Sequence, residues 1–217
     1  MELISRVALN VERPLRLVLL LHGRGADEED LMPLAALFAR HDLVLSVRAP
    51  YAFGPGYAWY GLTPDGKAQG QELRESVRAL SQLIDQKAAG TIPTLLVGFS
   101  QGGLAAAMTA SEREGRGIQG VVSLSAPPMP EVPSHPTLTD VPIFVGHGTE
   151  DPVVPLSRGE LTRDILVRLG ARVTFRRYPM GHMISEAELD DIRRWVSRLS
   201  AVESGPNETT PDSGEAE

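Results

Sequence analysis

The sequence predicts an α/β fold: a mostly parallel central sheet with helices on both faces. Short runs that are apolar without alternation recur along the 217 residues, as strands buried on both faces require. Segments with helical spacing lie between them, which implies crossover connections rather than hairpins. Glycine-rich turns close several of the apolar runs, and ligand chemistry gathers at that edge of an open parallel sheet.

Residues 15–21 end in His22-Gly23-Arg24-Gly25 and read as a central strand. A helix is expected next, with Asp27 as N-cap, acids in its first turn, and Leu31, Leu34 and Phe38 on one face. Residues 43–47 form a second apolar run. Leu73, Val77, Leu80 and Ile84 fall at i, i+4, i+7 and i+11 of one helix face. Residues 94–99 read as a strand and 102–113 as a helix of small residues, followed by strands at 118–124, 141–145 and 171–177. Ser157-Arg158-Gly159-Glu160 and Ser185-Glu186-Ala187-Glu188 have capping-box spacing, each ahead of an amphipathic helix. Residues 3–11 are expected to add an edge strand or hairpin.

The chain carries 21 bases against 28 acids, a net charge of −7, and no cysteine. The charge argues against nucleic acid as a partner, since no basic excess remains to neutralise phosphates. The absent cysteine excludes a disulfide scaffold, thiolate metal sites and a cysteine nucleophile. No apolar run approaches the ~18 residues a spanning helix needs, so no membrane insertion is expected. The first ten residues lack the features of an export signal, and a cytoplasmic location follows as an expectation. Residues 1–200 are expected to form one catalytic domain. Residues 203–217 hold five acids, no base and no large apolar side chain, which predicts an acidic disordered tail. Without it the balance is 23 acids to 21 bases, so the acidity is mainly a property of the tail.

Gly98-Phe99-Ser100-Gln101-Gly102 fits Gly-x-Ser-x-Gly and lies between a strand and a helix. There a serine is held in a sharp turn and its Oγ is exposed at the carboxyl edge of the sheet. The same five residues outside that context are only a glycine-rich loop. A neutral serine needs a base, itself oriented by a third group. Of five histidines, His22, His147 and His182 fall at strand ends, and only His182 follows both Ser100 and a strand-end acid, the chain order this fold uses. Glu150 or Asp151 could supply the acid; Asp151, held by Pro152, is preferred, although an Asp here also suits an Asx-turn. His147 with Asp151 makes a poor metal site without a third ligand, and His147 and His22 read as hydrogen-bonded loop histidines. Acyl transfer also needs donors aimed at the oxyanion; the backbone N–H of Gln101 and that of Arg24, in the first glycine turn, are the candidates.

These residues match a known family in order. Leu21-His22-Gly23-Arg24-Gly25-Ala26-Asp27-Glu28, Arg48-Ala49-Pro50-Tyr51, Trp59-Tyr60, Gly98 to Gly103, Gly146 to Pro155 and Tyr178-Pro179-Met180-Gly181-His182 together resemble the phospholipase/carboxylesterase family of α/β hydrolases. The family includes the acyl-protein thioesterases and small bacterial carboxylesterases, and the resemblance spans about residues 15–199. It implies the α/β-hydrolase fold, a triad of Ser100, Asp151 and His182, and an oxyanion hole of the Arg24 and Gln101 N–H groups. It implies no metal and no organic cofactor, and hydrolysis of esters and thioesters of modest size. Many members carry an apolar side chain where this chain has Arg24, a difference that bears on what enters the site.

Residues 50–62 hold Tyr51, Phe53, Tyr57, Trp59 and Tyr60 among glycines and a proline. A core cluster is one reading; an aromatic wall or flap over the substrate is the other, with Tyr57, Trp59, Tyr60 and, beyond the histidine, Met183 as pocket residues. Residues 126–140 include five prolines and are too few to build a large cap domain. The reading is a serine carboxylesterase for a small-molecule ester. A thioesterase or lysophospholipase acting on longer acyl chains is the enzymatic alternative, and a non-catalytic ligand-binding protein on the hydrolase fold is the alternative of another class. Monomer and homodimer both stay open.

Overall fold

The computed structural model of the chain describes residues 1–130 and 132–202. In chain order its elements are β1 (Ser5–Leu9), β2 (Arg16–Leu21), β3 (Asp42–Val47), β4 (Tyr51–Phe53), β5 (Gly56–Ala58), α1 (Gly70–Ala88) and β6 (Thr94–Phe99). They continue with α2 (Gln101–Glu112), β7 (Ile118–Leu124), β8 (Pro142–Gly148), α3 (Leu156–Arg168), β9 (Arg172–Tyr178) and α4 (Glu186–Val202). Seven strands form one sheet in the order β1-β3-β2-β6-β7-β8-β9. All pair in parallel except β1, which lies antiparallel on the β3 edge. This is the α/β-hydrolase architecture.

Side-chain alternation divides the core. Leu17, Leu19 and Leu21 of β2 face the layer of α1, α2 and α3, where Leu73, Val77, Leu80 and Ile84 of α1 are buried. Val18 and Leu20 face the opposite layer, against Ile192, Trp195 and Val196 of α4. The continuous apolar run of β2 is therefore the signature of a strand covered twice, every residue of it being buried.

From β2 the chain moves outward to β3, then returns to the other side of β2 to start β6. The strand order thus reverses between β2 and β6, and a crevice opens beyond their carboxyl ends. The 22–26 turn follows β2 there, and Ser100 follows β6.

Three local expectations are corrected. The helix expected after β2 is instead a series of turns and a six-residue 3-10 helix, Met32–Leu37. Asp27 only caps a local turn, its Oδ1 accepting the Glu29 N–H at 2.9 Å. The backbone of Gly25 and Ala26 is paired with Tyr57 of β5, and Pro33 removes a donor, so an α-helix cannot start there. Ser157 does not cap α3; Pro155 is the N-cap and Ser157 lies inside the first turn. Ser185 forms half of its capping box: its Oγ accepts the Glu188 N–H at 3.3 Å, while the Glu188 carboxylate turns into the core instead of reaching back.

Among the described residues, no cap domain interrupts the sheet. The described residues between β7 and β8 form no helix or strand and are anchored by the buried Met129 and Leu138. No helix is long and apolar enough to cross a membrane. The tail expected at 203–217 lies outside the described residues.

Candidate active site

Ser100 holds φ 53° and ψ −118° between β6 and α2. A non-glycine residue enters that left-handed region only when its surroundings force it, and two glycines make the forcing possible. A Cβ on Gly98 would stand 2.2 Å from the Gly102 carbonyl oxygen, and a Cβ on Gly102 would stand 2.0 Å from the Leu21 carbonyl oxygen. The elbow is thus packed backbone on backbone, with α2 pressed against the end of β2.

The loop after β9 brings His182 to this elbow. The Ser100 hydroxyl donates to His182 Nε2 at 3.0 Å, and His182 Nδ1–H donates to Asp151 Oδ2 at 2.7 Å. The other oxygen of Asp151, Oδ1, accepts the N–H groups of Val153 at 2.9 Å and Val154 at 2.8 Å. Burial opposes ionisation of Asp151, but the hydrogen bonds from His182, Val154 and Val153 outweigh it and hold the carboxyl below its usual range. The Asx-turn and the histidine contact are made by one side chain. Phe99 packs its ring 4.8 Å from that of His182 and limits its rotation. Glu150, the other acid considered, is exposed.

The turn after β2 is held from several sides. The ring of His22 accepts the Ala49 N–H on Nε2 at 3.0 Å and donates from Nδ1 to the Gly23 carbonyl at 2.7 Å. Burial lowers its pKa against the opposing carbonyl contact and nearby acids, so it stays neutral and structural. Glu28 forms a two-point ion pair with Arg48, at 2.5 and 2.6 Å, tying the turn to the end of β3. The N–H of Arg24 has no protein partner among the described residues, and the N–H of Gln101, first in its helix, has no carbonyl one turn back to accept it. Both residues line the same cavity as Ser100.

That cavity encloses about 410 Å³. Of the four residues expected to form its wall, it includes only Tyr60; Phe53, Leu62, Pro127 and Arg158 also line it. Trp59 is fully buried: its indole N–H donates to the His22 carbonyl at 2.9 Å, and its backbone N–H to Gln101 Oε1 at 3.1 Å. Tyr57 lies beneath the Arg48 guanidinium, 4.6 Å from ring centroid to carbon, with its backbone strapped to Gly25 and Ala26. Both aromatics support the turn rather than the substrate space. Met183 lines a second hollow of about 330 Å³ that shares Phe99 and His182 with the first.

Arg158 and Phe53 had not been assigned to the pocket. For Arg158 the available signal was its place just after the strand-end acid; for Phe53 it was membership of the aromatic group. His147 is buried, its Nε2 bonded to the Val154 carbonyl at 2.7 Å, as a loop-bracing histidine.

The sequence pattern of the phospholipase/carboxylesterase family matches residues 4–200. The chain belongs to the phospholipase/carboxylesterase family. Members are hydrolases, and curated relatives bear both esterase and thioesterase names. Acyl-protein thioesterase 1 of Gibberella zeae is 35% identical over 136 residues, spanning 58% of this chain and 57% of that protein. The carboxylesterase SOBER1 of Arabidopsis thaliana is 33% identical over 133 residues, covering 57% of this chain and 58% of its own length. The chain therefore spans less than two thirds of either relative. Among solved structures, esterase PE8 superposes with a TM-score of 0.80 at 24% identity, over 92% of this chain and 100% of that one, a likeness of fold.

Proposed function

We propose that this member of the family is a serine carboxylesterase acting on small to medium acyl chains. One observation carries the reading: the unbroken hydrogen-bond chain from the strained Ser100 through His182 to Asp151. Ser100 Oγ attacks the acyl carbon while its proton passes to His182 Nε2. Asp151 keeps the imidazole oriented and stabilises its cation. The N–H groups of Arg24 and Gln101 receive the oxyanion. Collapse of the tetrahedral adduct expels the alcohol, which takes the proton from His182. Water, deprotonated by the same histidine, then attacks the acyl-enzyme and releases the acid, restoring the Ser100 hydroxyl. The two hollows meeting at His182 give room for the two arms of an ester.

The test is Ser100→Ala. Hydrolysis of short p-nitrophenyl esters is expected to fall by about 10⁶-fold in kcat, and labelling by a fluorophosphonate probe to vanish, with an unchanged circular dichroism spectrum. Activity retained in the purified variant overturns the reading. Wild-type protein that never reacts with the probe would favour a ligand-binding role.

A thioesterase is the second reading, favoured by the name of the Gibberella zeae relative. Rates on matched acyl thioesters and oxyesters separate the two.

A further inference from the structure

Arg24 and Arg158 share one cavity with no carboxylate paired to either. Both line the space over Ser100 and both are exposed. Among the described residues neither guanidinium makes an ion pair or hydrogen bond. Several other arginines form ion pairs, among them Arg48 with Glu28, Arg113 with Asp85, Arg177 with Glu160 and Arg194 with Asp191. The Arg24 guanidinium carbon sits 3.9 Å from the Phe53 ring centroid, a cation–π contact that helps hold its position without using its N–H donors.

No acidic side chain lines the cavity. The nearby carboxylate of Asp151 is buried behind His182, occupied by it and by two backbone N–H groups. Two uncompensated cations therefore border a partly apolar hollow, in a chain whose net charge is −7. A neutral acyl or alcohol group offers them no charge to compensate. A carboxylate does, since its two oxygens match the donor fork of a guanidinium.

We propose that the ester taken by this site carries an ionised carboxylate, held by Arg24 and Arg158 while Ser100 attacks the ester carbon. The proposal rests on the ester-hydrolase reading above and names its substrate class: half-esters of dicarboxylic acids, or esters whose alcohol part bears the charge.

The experiment measures kcat/KM by pH-stat on two matched pairs. Monoethyl adipate against ethyl hexanoate places the charge on the acyl part; para-acetoxybenzoate against its methyl ester places it on the alcohol part. At least one pair is expected to favour the anion by about ten-fold or more, and the pair that does identifies the charged arm. That ratio should fall several-fold in Arg24→Met and in Arg158→Met, recover in part in the lysine variants, and decline with added sodium chloride as an ionic contact requires. A merely structural role would not change the ratio of anionic to neutral rates. Equal or better hydrolysis of the neutral member in both pairs overturns the proposal but leaves the esterase reading standing. A preference for the anion that neither arginine variant reduces also overturns it. Failure of the wild-type protein to hydrolyse any of the four esters sinks the esterase reading itself, and this proposal with it.

Discussion

Gly102 packs against Leu21 so closely that a methyl group on its Cα would stand 2.0 Å from the Leu21 carbonyl oxygen. This contact between α2 and the end of β2 lets the Ser100 turn and the 22–26 turn share one crevice. A Gly102→Ala variant must move α2 away from β2 or distort the elbow. We expect a stability loss on the order of 1–3 kcal/mol or more and loss of ester hydrolysis. Thermal melts and p-nitrophenyl ester assays on the purified variant check both; a normal melting temperature with normal activity contradicts the packing argument.

Gln101 contributes more than a backbone N–H. Its side chain accepts the Trp59 N–H and donates to the Tyr60 carbonyl at 3.0 Å, joining α2 to the aromatic segment. In Gln101→Ala, two buried backbone groups lose their partners, each worth about 1–3 kcal/mol when left unsatisfied. The expected outcome is lower stability with reduced kcat/KM, while Gln101→Glu keeps the acceptor and loses only the donor. Chemical denaturation of the pair should rank alanine below glutamate at low pH, where the glutamate can be protonated.

Glu188 predicts a pH dependence of stability. Its carboxyl is fully buried, both oxygens lack partners among the described residues, and a Cβ on Gly146 would touch it. Burial is the main cause that pushes its pKa from 4.5 up to about 8, and the charge on Asp191 adds to it. The folded state therefore keeps a proton that the unfolded chain releases. Its contribution is fully present below pH 4.5 and is lost as pH rises through about 8, at a slope of up to about 1.4 kcal/mol per pH unit. Glu188→Gln cannot ionise. Its denaturation midpoint should vary less between these limits and exceed that of the wild type on the alkaline side. Parallel midpoint curves for the two proteins would count against the buried acid as the cause.

The opposite edge of the sheet depends on a buried ion pair. Arg16 and Asp42, 4% and 1% exposed, meet through two bonds of 2.6 and 3.1 Å at the starts of β2 and β3. Removing one partner leaves a buried charge uncompensated, at a cost of about 3–5 kcal/mol. Asp42→Ala should unfold at markedly lower denaturant, and where it remains folded its specific activity should stay near that of the wild type, because the pair lies at the far end of β2 from Ser100.

Much of this arrangement was legible in the sequence. The strands at 94–99 and 118–124 coincide with β6 and β7, because an apolar run bounded by glycines or a helix start has little freedom in where it ends. Ser100, Asp151 and His182 stood out because each sits in a short loop after a strand, and such loops share one edge of a parallel sheet. The helix expected at Asp27 was legible as doubtful only through Pro33, which lies inside it; the other cause, pairing of Gly25 and Ala26 with Tyr57, is a contact about thirty residues away that no local pattern records.

The sequence by itself determined the order of elements and the doubly covered sheet, and singled out Ser100 and His182 with Glu150 or Asp151 as relay candidates, since these follow from periodicity and from which residue types end each strand. Only the tertiary structure decided what surrounds them. Trp59 is buried under the turn because its indole N–H finds the His22 carbonyl, and Arg158 reaches the Ser100 cavity from the first turn of α3, which starts at Leu156 after its N-cap Pro155. Both outcomes depend on partners distant in the chain, and a hydrogen bond or a cavity wall exists only once the chain has folded to bring them together.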